Sequence, residues 1–286
     1  MPSTVASRLS EHLKEPISES EEYTMSNAAN TPEVRMNVEG HIAVISLDNR
    51  AKKNAITPDL MHQLSQRLTE FDNDDNLWVA VLDPAGEHTT AGLDMPKFFG
   101  PAATAKPIPD DQVDPFGLKR RCRKPLISVV HGITYTIGIE QMLASDIVIA
   151  ADTALFCQME SKRGIAPLGG AHYRFLTRTG WGNAMYHLFL CDEFSAQEAY
   201  RCGFVQEVHP YGEHRERAME IARLICKVAP IGLRATKAAA LTFIEHGEKA
   251  AIDIIPQVRE QVFASEDFKE GIQSFVERRE ARFQGH

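Results

Sequence analysis

Several signatures are missing from this chain, and each absence narrows what it does. No apolar run approaches the roughly 20 residues that a bilayer-spanning helix needs; stretches such as PLISVV and IVIAA are far shorter. Cysteines are few and odd in number: Cys122, Cys157, Cys191, Cys202 and Cys226, widely spaced and without a C-x-x-C. That pattern speaks against a disulfide frame or a local zinc site and fits reduced thiols in a cytoplasmic protein. The 11 histidines include no H-E-x-x-H, so no local spacing supports a metal. There is no G-x-S-x-G, no Walker loop and no G-x-G-x-x-G, which counts against nucleophile-elbow and phosphate-loop enzymes. A basic excess is also missing. The formal net charge is −8 with no basic stripe, which argues against nucleic acid and anionic membrane as partners.

What is present is an ordinary globular composition, 43% hydrophobic and 24% charged over 286 residues, ample for a large core. The first thirty or so residues are polar and rich in Ser and Glu, with Arg8 and Lys14 set against Glu11, Glu15, Glu19, Glu21 and Glu22. They lack an apolar h-region and predict a flexible tail over 1–33. From Glu39 the texture changes. GHIAVISLD alternates as a strand, and Thr57-Pro58-Asp59 is a helix start with a hydroxyl cap and a proline where no N–H is needed. LWVAVLD is a second strand. A loop of small residues, GEHTTAGLDM, and a Pro-rich segment over 101–115 follow. GLKRRCR predicts a short basic helix before the strand PLISVVHG. A short helix is expected in the second half of GITYTIGIEQMLASD, then strands DIVIAAD and ALFCQME. Beyond Gly169 the pattern is almost wholly helical. Ser195 and Glu198 form a capping box, VQEVHP is a last strand-like piece, and three or four amphipathic helices fill 212–283.

Two carboxylates stand out. Glu140 lies in an apolar run early in a short helix. Glu160 closes the strand ALFCQME, sharing a face with Phe156 and Gln158. A return of the chain that joins them gives an acid–base pair, one protonated and one ionised. Plainer readings exist for both. A Glu in a first helical turn gains about 0.3–1 kcal/mol from the helix dipole alone. Glu160, followed by Ser161-Lys162-Arg163, fits a surface ion pair. TTAGLDM and TIGIE each place glycine after a strand, where two backbone N–H groups could form an oxyanion hole, although turns after strands commonly contain glycine anyway.

Taken in order, these segments resemble the enoyl-CoA hydratase/isomerase (crotonase) superfamily from about Val38 to Phe283. DNRAKKNAIT is similar to its R-x-x-x-N-A segment, TTAGLDM to its A-G-x-D loop, and 124–170 to its central signature, with Glu140, Asp146 and Glu160 at matching spacing. The resemblance implies an α/β fold, a crotonase-type spiral of ββα units over 34–210, and a C-terminal helical trimerisation region over 211–286. It implies a homotrimer or homohexamer. It further implies an oxyanion hole from the N–H groups of Leu93 and Ile137, substrate contacts at Ala55, Ala91, Gly92, Asp94 and Gly138, and catalysis by Glu140 and Glu160. No cofactor is expected other than the coenzyme A of the substrate thioester. Lys52 and Lys53, or Arg278, Arg279 and Arg282, are candidates for its phosphates, and the segment before Pro115 for the acyl pocket.

The first expectation is a 2-enoyl-CoA hydratase, with Glu140 as base and Glu160 as proton donor to C2. A family isomerase, a thioester or C–C hydrolase, and a non-catalytic binding protein on the same fold stay open. Two departures motivate them. Ile137 stands where the family places glycine, and a β-branched residue disfavours positive φ. The family's P-G-x-G-G turn is the shorter PLGG, and that turn often gives an N–H to the catalytic water.

Overall fold

The spiral begins with a strand that the sequence pattern left in the tail. In the computed structural model, which describes residues 31–286, β1 (Glu33–Glu39) pairs antiparallel with β2 (Ile42–Asp48). The two-residue turn puts Gly40 at φ 57°, a left-handed conformation that glycine adopts without strain. The predicted 1–33 tail therefore falls outside the described residues up to residue 30, and Glu33 already belongs to the sheet. Residues 32–286 form one compact unit.

Thr57 caps α1 (Pro58–Asn73), its hydroxyl accepting the Leu60 N–H at 3.2 Å. Helix α1 leads to β3 (Val79–Leu82), then, past the loop with α2 (Met95–Phe99), to β4 (Leu126–Val130) and β5 (Ile133–Tyr135). Helix α3 (Ile137–Ala144), β6 (Ile147–Ala151) and β7 (Leu155–Cys157) follow, then α4 (Ala171–Thr179), α5 (Trp181–Leu190), β8 (Phe194–Ser195), α6 (Ala196–Arg201) and β9 (Glu207–His209). Four helices close the chain: α7 (Glu213–Ile225), α8 (Pro230–Asp253), α9 (Ile255–Phe263) and α10 (Glu266–Glu277).

The main sheet has the order β1-β2-β3-β4-β6-β9, parallel after the first hairpin. Its inner strands are apolar on both faces, as a covered parallel sheet requires. Ala43, Ile45, Ala80 and Leu82 face α1, while Ile42, Val79, Val81 and Ile149 pack on Ala218 and Ala222 of α7. A second layer runs β5-β7-β8, continued by the isolated bridges Ile56–Leu93 and Thr90–Thr134. Each turn of the spiral thus gives one strand to the large sheet and one short strand or bridge to the second layer, so the second-layer segments meet side by side.

Two local expectations change. GLKRRCR is not helical; Gly117 to Arg123 form turns and bends. The reason is Asp72, fully buried at the end of α1, which is bonded by Arg120 Nη2 (2.9 Å), Arg123 Nε (2.9 Å) and the Arg123 N–H (2.8 Å). Burial pushes that carboxyl up, but the arginine bonds win and hold it below the usual range. The second change is that ALFCQME stops being a strand at Cys157, and Glu160 opens a single 3-10 turn (Glu160–Arg163) instead.

His131 and His214 are both fully buried, His214 Nε2 lying 3.4 Å from His131 Nδ1. Burial first, then the charge of Arg215, push their pKa values down to about 3 and about 4. Both stay neutral in the folded chain while unfolded histidines, near 6.5, take up protons. Their contribution is whole above about pH 6.5 and is lost as pH falls towards the folded values. Urea denaturation should show stability declining from pH 6.5 downward, on the order of 2 kcal/mol per histidine by pH 5. A stability flat from pH 7 to pH 5 would contradict this.

Candidate active site

Helix α3 is short and almost entirely apolar, so it sinks into the core and carries Glu140 with it. Glu140 is 1% exposed. One carboxylate oxygen accepts the Ala171 N–H at 3.0 Å. The other lies against Gly169, where an added Cβ would stand 2.3 Å from it. Burial raises the pKa of Glu140, opposed by the Ala171 and Gly169 N–H groups and by the charges of Arg174 and His172. The N–H groups after the PLGG proline are thus directed at Glu140 itself.

Glu160 stands on the 3-10 turn after β7, within range of the Glu140 charge. Gln158, itself buried, donates its amide to Glu160 Oε1 at 2.8 Å, while Oε2 is buried with no hydrogen-bond partner. Burial, followed by the charge of Glu140, pushes the Glu160 pKa up to about 7. Among the described residues Glu160 makes no ion pair, so Lys162 and Arg163 do not hold it at the surface. The chain return brings both glutamates together electrostatically, and their environments differ. Glu140 has the donors of the 169–171 turn and a nearby cation, whereas Glu160 has the Gln158 amide and its own N–H.

The two glycine loops also meet. Thr90 bridges Thr134, and Gly138 lies so close to Thr90 that a Cβ there would be 2.5 Å from Thr90 Cγ2. Gly92, at φ 110°, faces Thr136 Oγ1 at 2.7 Å from where its Cβ would be. The Ile56 bridge is made by the Gly92 carbonyl and the Asp94 N–H (both 2.8 Å), leaving the Leu93 N–H without a partner among the described residues. The Ile137 N–H, in the first turn of α3, also has none, and no side chain caps this helix. The strain expected at Ile137 falls one residue earlier. Thr136 takes φ 49°, ψ −112°, and Ile137 enters the helix, 8% exposed, with its side chain in the α1 core.

The remaining sequence candidates are placed as follows. Ala55 and Ala91 use their N–H groups on the carbonyls of Lys52 and Lys53. Asp94 sits between Lys52 Nζ (3.6 Å) and Lys97 Nζ (3.9 Å). Asp146 is structural, accepting the Leu126 N–H (2.8 Å) and Lys237 Nζ (2.7 Å). Arg279 is committed to Glu270 and Glu277, and Arg278 and Arg282 flank it beyond α10. A cavity of about 580 Å³ lies under α8, lined by Val113, Asp114, Leu143, Arg174 and Leu241 among others; neither Glu140 nor Glu160 lines it. His187, Glu198 and Cys202 cluster elsewhere, but the Arg201 guanidinium already bonds both Glu198 oxygens and the Cys202 sulfur. Arg174 was not anticipated. Its signal was a cation at the i+3 position of the buried face Ala171, Arg174, Phe175.

Fold and site together define an α/β spiral protein with a buried carboxylate, Glu140, a half-buried one, Glu160, and unpartnered backbone N–H groups beside them. The model of the enoyl-CoA hydratase/isomerase family matches residues 37–286, and the chain belongs to that family. It is 29% identical over 269 residues to enoyl-CoA hydratase EchA19 of Mycobacterium tuberculosis, covering 91% of this chain and 99% of the relative. It is 30% identical over 210 residues to the hydroxycinnamoyl-CoA hydratase-lyase of Pseudomonas fluorescens, covering 71% and 76%. The crystal structure of a probable enoyl-CoA hydratase/isomerase from Mycobacterium abscessus superposes with TM-score 0.85 at 40% identity, over 88% of this chain and 98% of that one. An enoyl-CoA hydratase from Mycobacterium tuberculosis H37Rv superposes with TM-score 0.83 at 28% identity, over 90% and 100%. The resemblance and the spiral fold read from the sequence are borne out.

The close packing at Gly169 gives a stability test. Gly169→Ala forces a methyl into the Glu140 carboxylate and should destabilise by about 1–3 kcal/mol, the usual cost of overpacking. Gly232→Ala, in α8 with only a distant neighbour at 4.0 Å, should be neutral or stabilising by up to about 1 kcal/mol. Thermal unfolding of both variants measures this; equal effects would contradict the packing.

Proposed function

We propose that this chain is a 2-enoyl-CoA hydratase, adding water across the C2=C3 bond of an α,β-unsaturated acyl-CoA. The observation that carries this reading is the unequal carboxylate pair. Glu140 is gripped by backbone N–H groups, while Glu160 has a buried oxygen without a partner and a pKa of about 7. Relatives named as hydratases support the same reaction.

The chemistry follows from the groups. The Leu93 and Ile137 N–H groups bind the thioester oxygen and stabilise the enolate-like state; one such donor typically lowers the barrier by about 2.7–4 kcal/mol. Glu140 takes a proton from water as its oxygen bonds to C3, and Glu160 gives its proton to C2. The net change is one water added, and the proton on Glu140 returns to Glu160 through solvent. Gly92, Gly138 and Asp94 shape the loops around the thioester, and the Ala55 and Ala91 backbone borders the CoA. Lys52 and Lys53 meet its phosphates. This chemistry needs no cofactor beyond the CoA of the substrate. Exposed Phe243, Ile252, Phe263, Ile272, Phe275 and Val276 on the last helices support assembly into a trimer or hexamer. Among the described residues no helix is long and apolar enough to cross a membrane, and we assign the enzyme to the cytoplasm.

Crotonyl-CoA turnover tests the reading. The product should gain the mass of one water, and Glu140→Gln and Glu160→Gln should each lower kcat by about 10²–10⁴ without unfolding the chain. Because Glu160 must hold a proton, kcat/KM should fall as pH rises past about 7. Unchanged activity in both variants, or release of free CoA in place of hydration, would overturn it.

A further inference from the structure

The two glycines of PLGG are occupied from two directions. Gly169 makes room for Glu140, and Gly170, at φ 111°, makes room for Arg174: a Cβ there would lie 2.3 Å from Nη1. Arg174 is 5% exposed. Its Nη1 donates to the Gly169 carbonyl (3.0 Å), and its Nη2 donates to the Phe116 carbonyl (2.6 Å) and, at longer range, to that of Gly117 (3.4 Å). Its guanidinium carbon stands 4.8 Å over the Tyr173 ring. It forms no ion pair with any described carboxylate. A buried cation met by carbonyls and a ring, with no counter-charge in contact, is costly to keep. It leaves a positive potential on the groups around it.

We propose that Arg174 is a positioning residue for the carboxylate pair: it ties the turn after Pro167 so that the Gly169 and Ala171 N–H groups reach Glu140, and it sets a buried positive charge across Gly169 from that carboxylate. The groups facing Glu140 are Glu160 on the 3-10 turn, His172 and Arg174 on α4, and the two N–H groups. Those facing Arg174 are Tyr173, Arg121, Asp114 and Glu140. The Arg174 fork ends on the carbonyl of Gly169, the residue packed against Glu140, and makes no bond to Glu160. The same side chain also anchors the 116–117 loop to α4, linking the turn to the segment that lines the neighbouring cavity. The consequence for turnover rests on the hydratase reading; the consequence for Glu140 ionisation does not.

The test is the ionisation of Glu140 in Arg174→Met and Arg174→Lys. It is read directly from the carboxylate infrared band, assigned with Glu140→Gln, and in parallel from the acidic limb of kcat/KM for crotonyl-CoA. Arg174→Met should move the Glu140 titration and the acidic limb up by about one pH unit, tenfold in the protonation equilibrium. Arg174→Lys should move both in the same direction but by less than Arg174→Met, with kcat also lowered, since an ammonium keeps the charge but not the fork of bonds that holds the turn. A purely structural role would lower kcat or the melting temperature with the titration unmoved, and that result overturns the proposal. Should Arg174→Met not fold, Arg174→Gln, which keeps a donor for the Gly169 carbonyl without the charge, must raise the Glu140 titration, or the proposal fails. A wild type that does not hydrate crotonyl-CoA sinks the hydratase reading alone, because the infrared titration still decides the role of Arg174.

Discussion

A carboxylate taken almost wholly out of water must be given donors or surrender its charge, and the seating of Glu140 answers that demand. Isolated, the ionised group would be prohibitively unfavourable in an apolar core. Here the chain supplies the Ala171 and Gly169 N–H groups and a guanidinium a few residues on. Several otherwise unrelated features follow from this contact. Gly169 must lack a side chain, α4 must begin where its first free N–H groups face α3, and Gly170 must leave space for Arg174.

The same contact makes the pair asymmetric. Two neighbouring carboxylates repel each other's charge, so the one with poorer solvation of the anion keeps the proton. Glu160 has the Gln158 amide, its own N–H and a bare buried oxygen, and its pKa reaches about 7. The difference in proton affinity thus comes from burial together with the unequal supply of hydrogen-bond donors and positive charge. Beside the pair, the first turn of α3 leaves the Ile137 N–H open because helix starts have unpaired donors by construction, and Thr136 absorbs the backbone strain that brings it there.

Much of this was legible in the sequence, and the omissions have physical causes. The alternation of β2, the Thr57 cap, the apolar α3 and both glutamates could be read locally, because each depends on residues a few positions apart. Strand β1 was missed although Val34, Met36 and Val38 alternate in EVRMNVE, since its charged edge face resembled the polar tail before it. GLKRRCR reads as helix by composition, yet Asp72, some fifty residues away, unwinds it. Ile137 drew attention because it stands where glycine was expected, but the positive φ belongs to Thr136, which no pattern of residue types marks. Arg174 acts through carbonyls and space, neither of which is written as a motif.

The central claim is that the glutamate pair adds water with an acid and a base drawn from two different carboxylates. Its most direct test is a single turnover of crotonyl-CoA in deuterated, ¹⁸O-labelled water. The account predicts one ¹⁸O at C3 and one deuterium at C2, delivered to a single face. Deuterium without ¹⁸O in the recovered thioester, or ¹⁸O appearing in a released carboxylic acid, would contradict it.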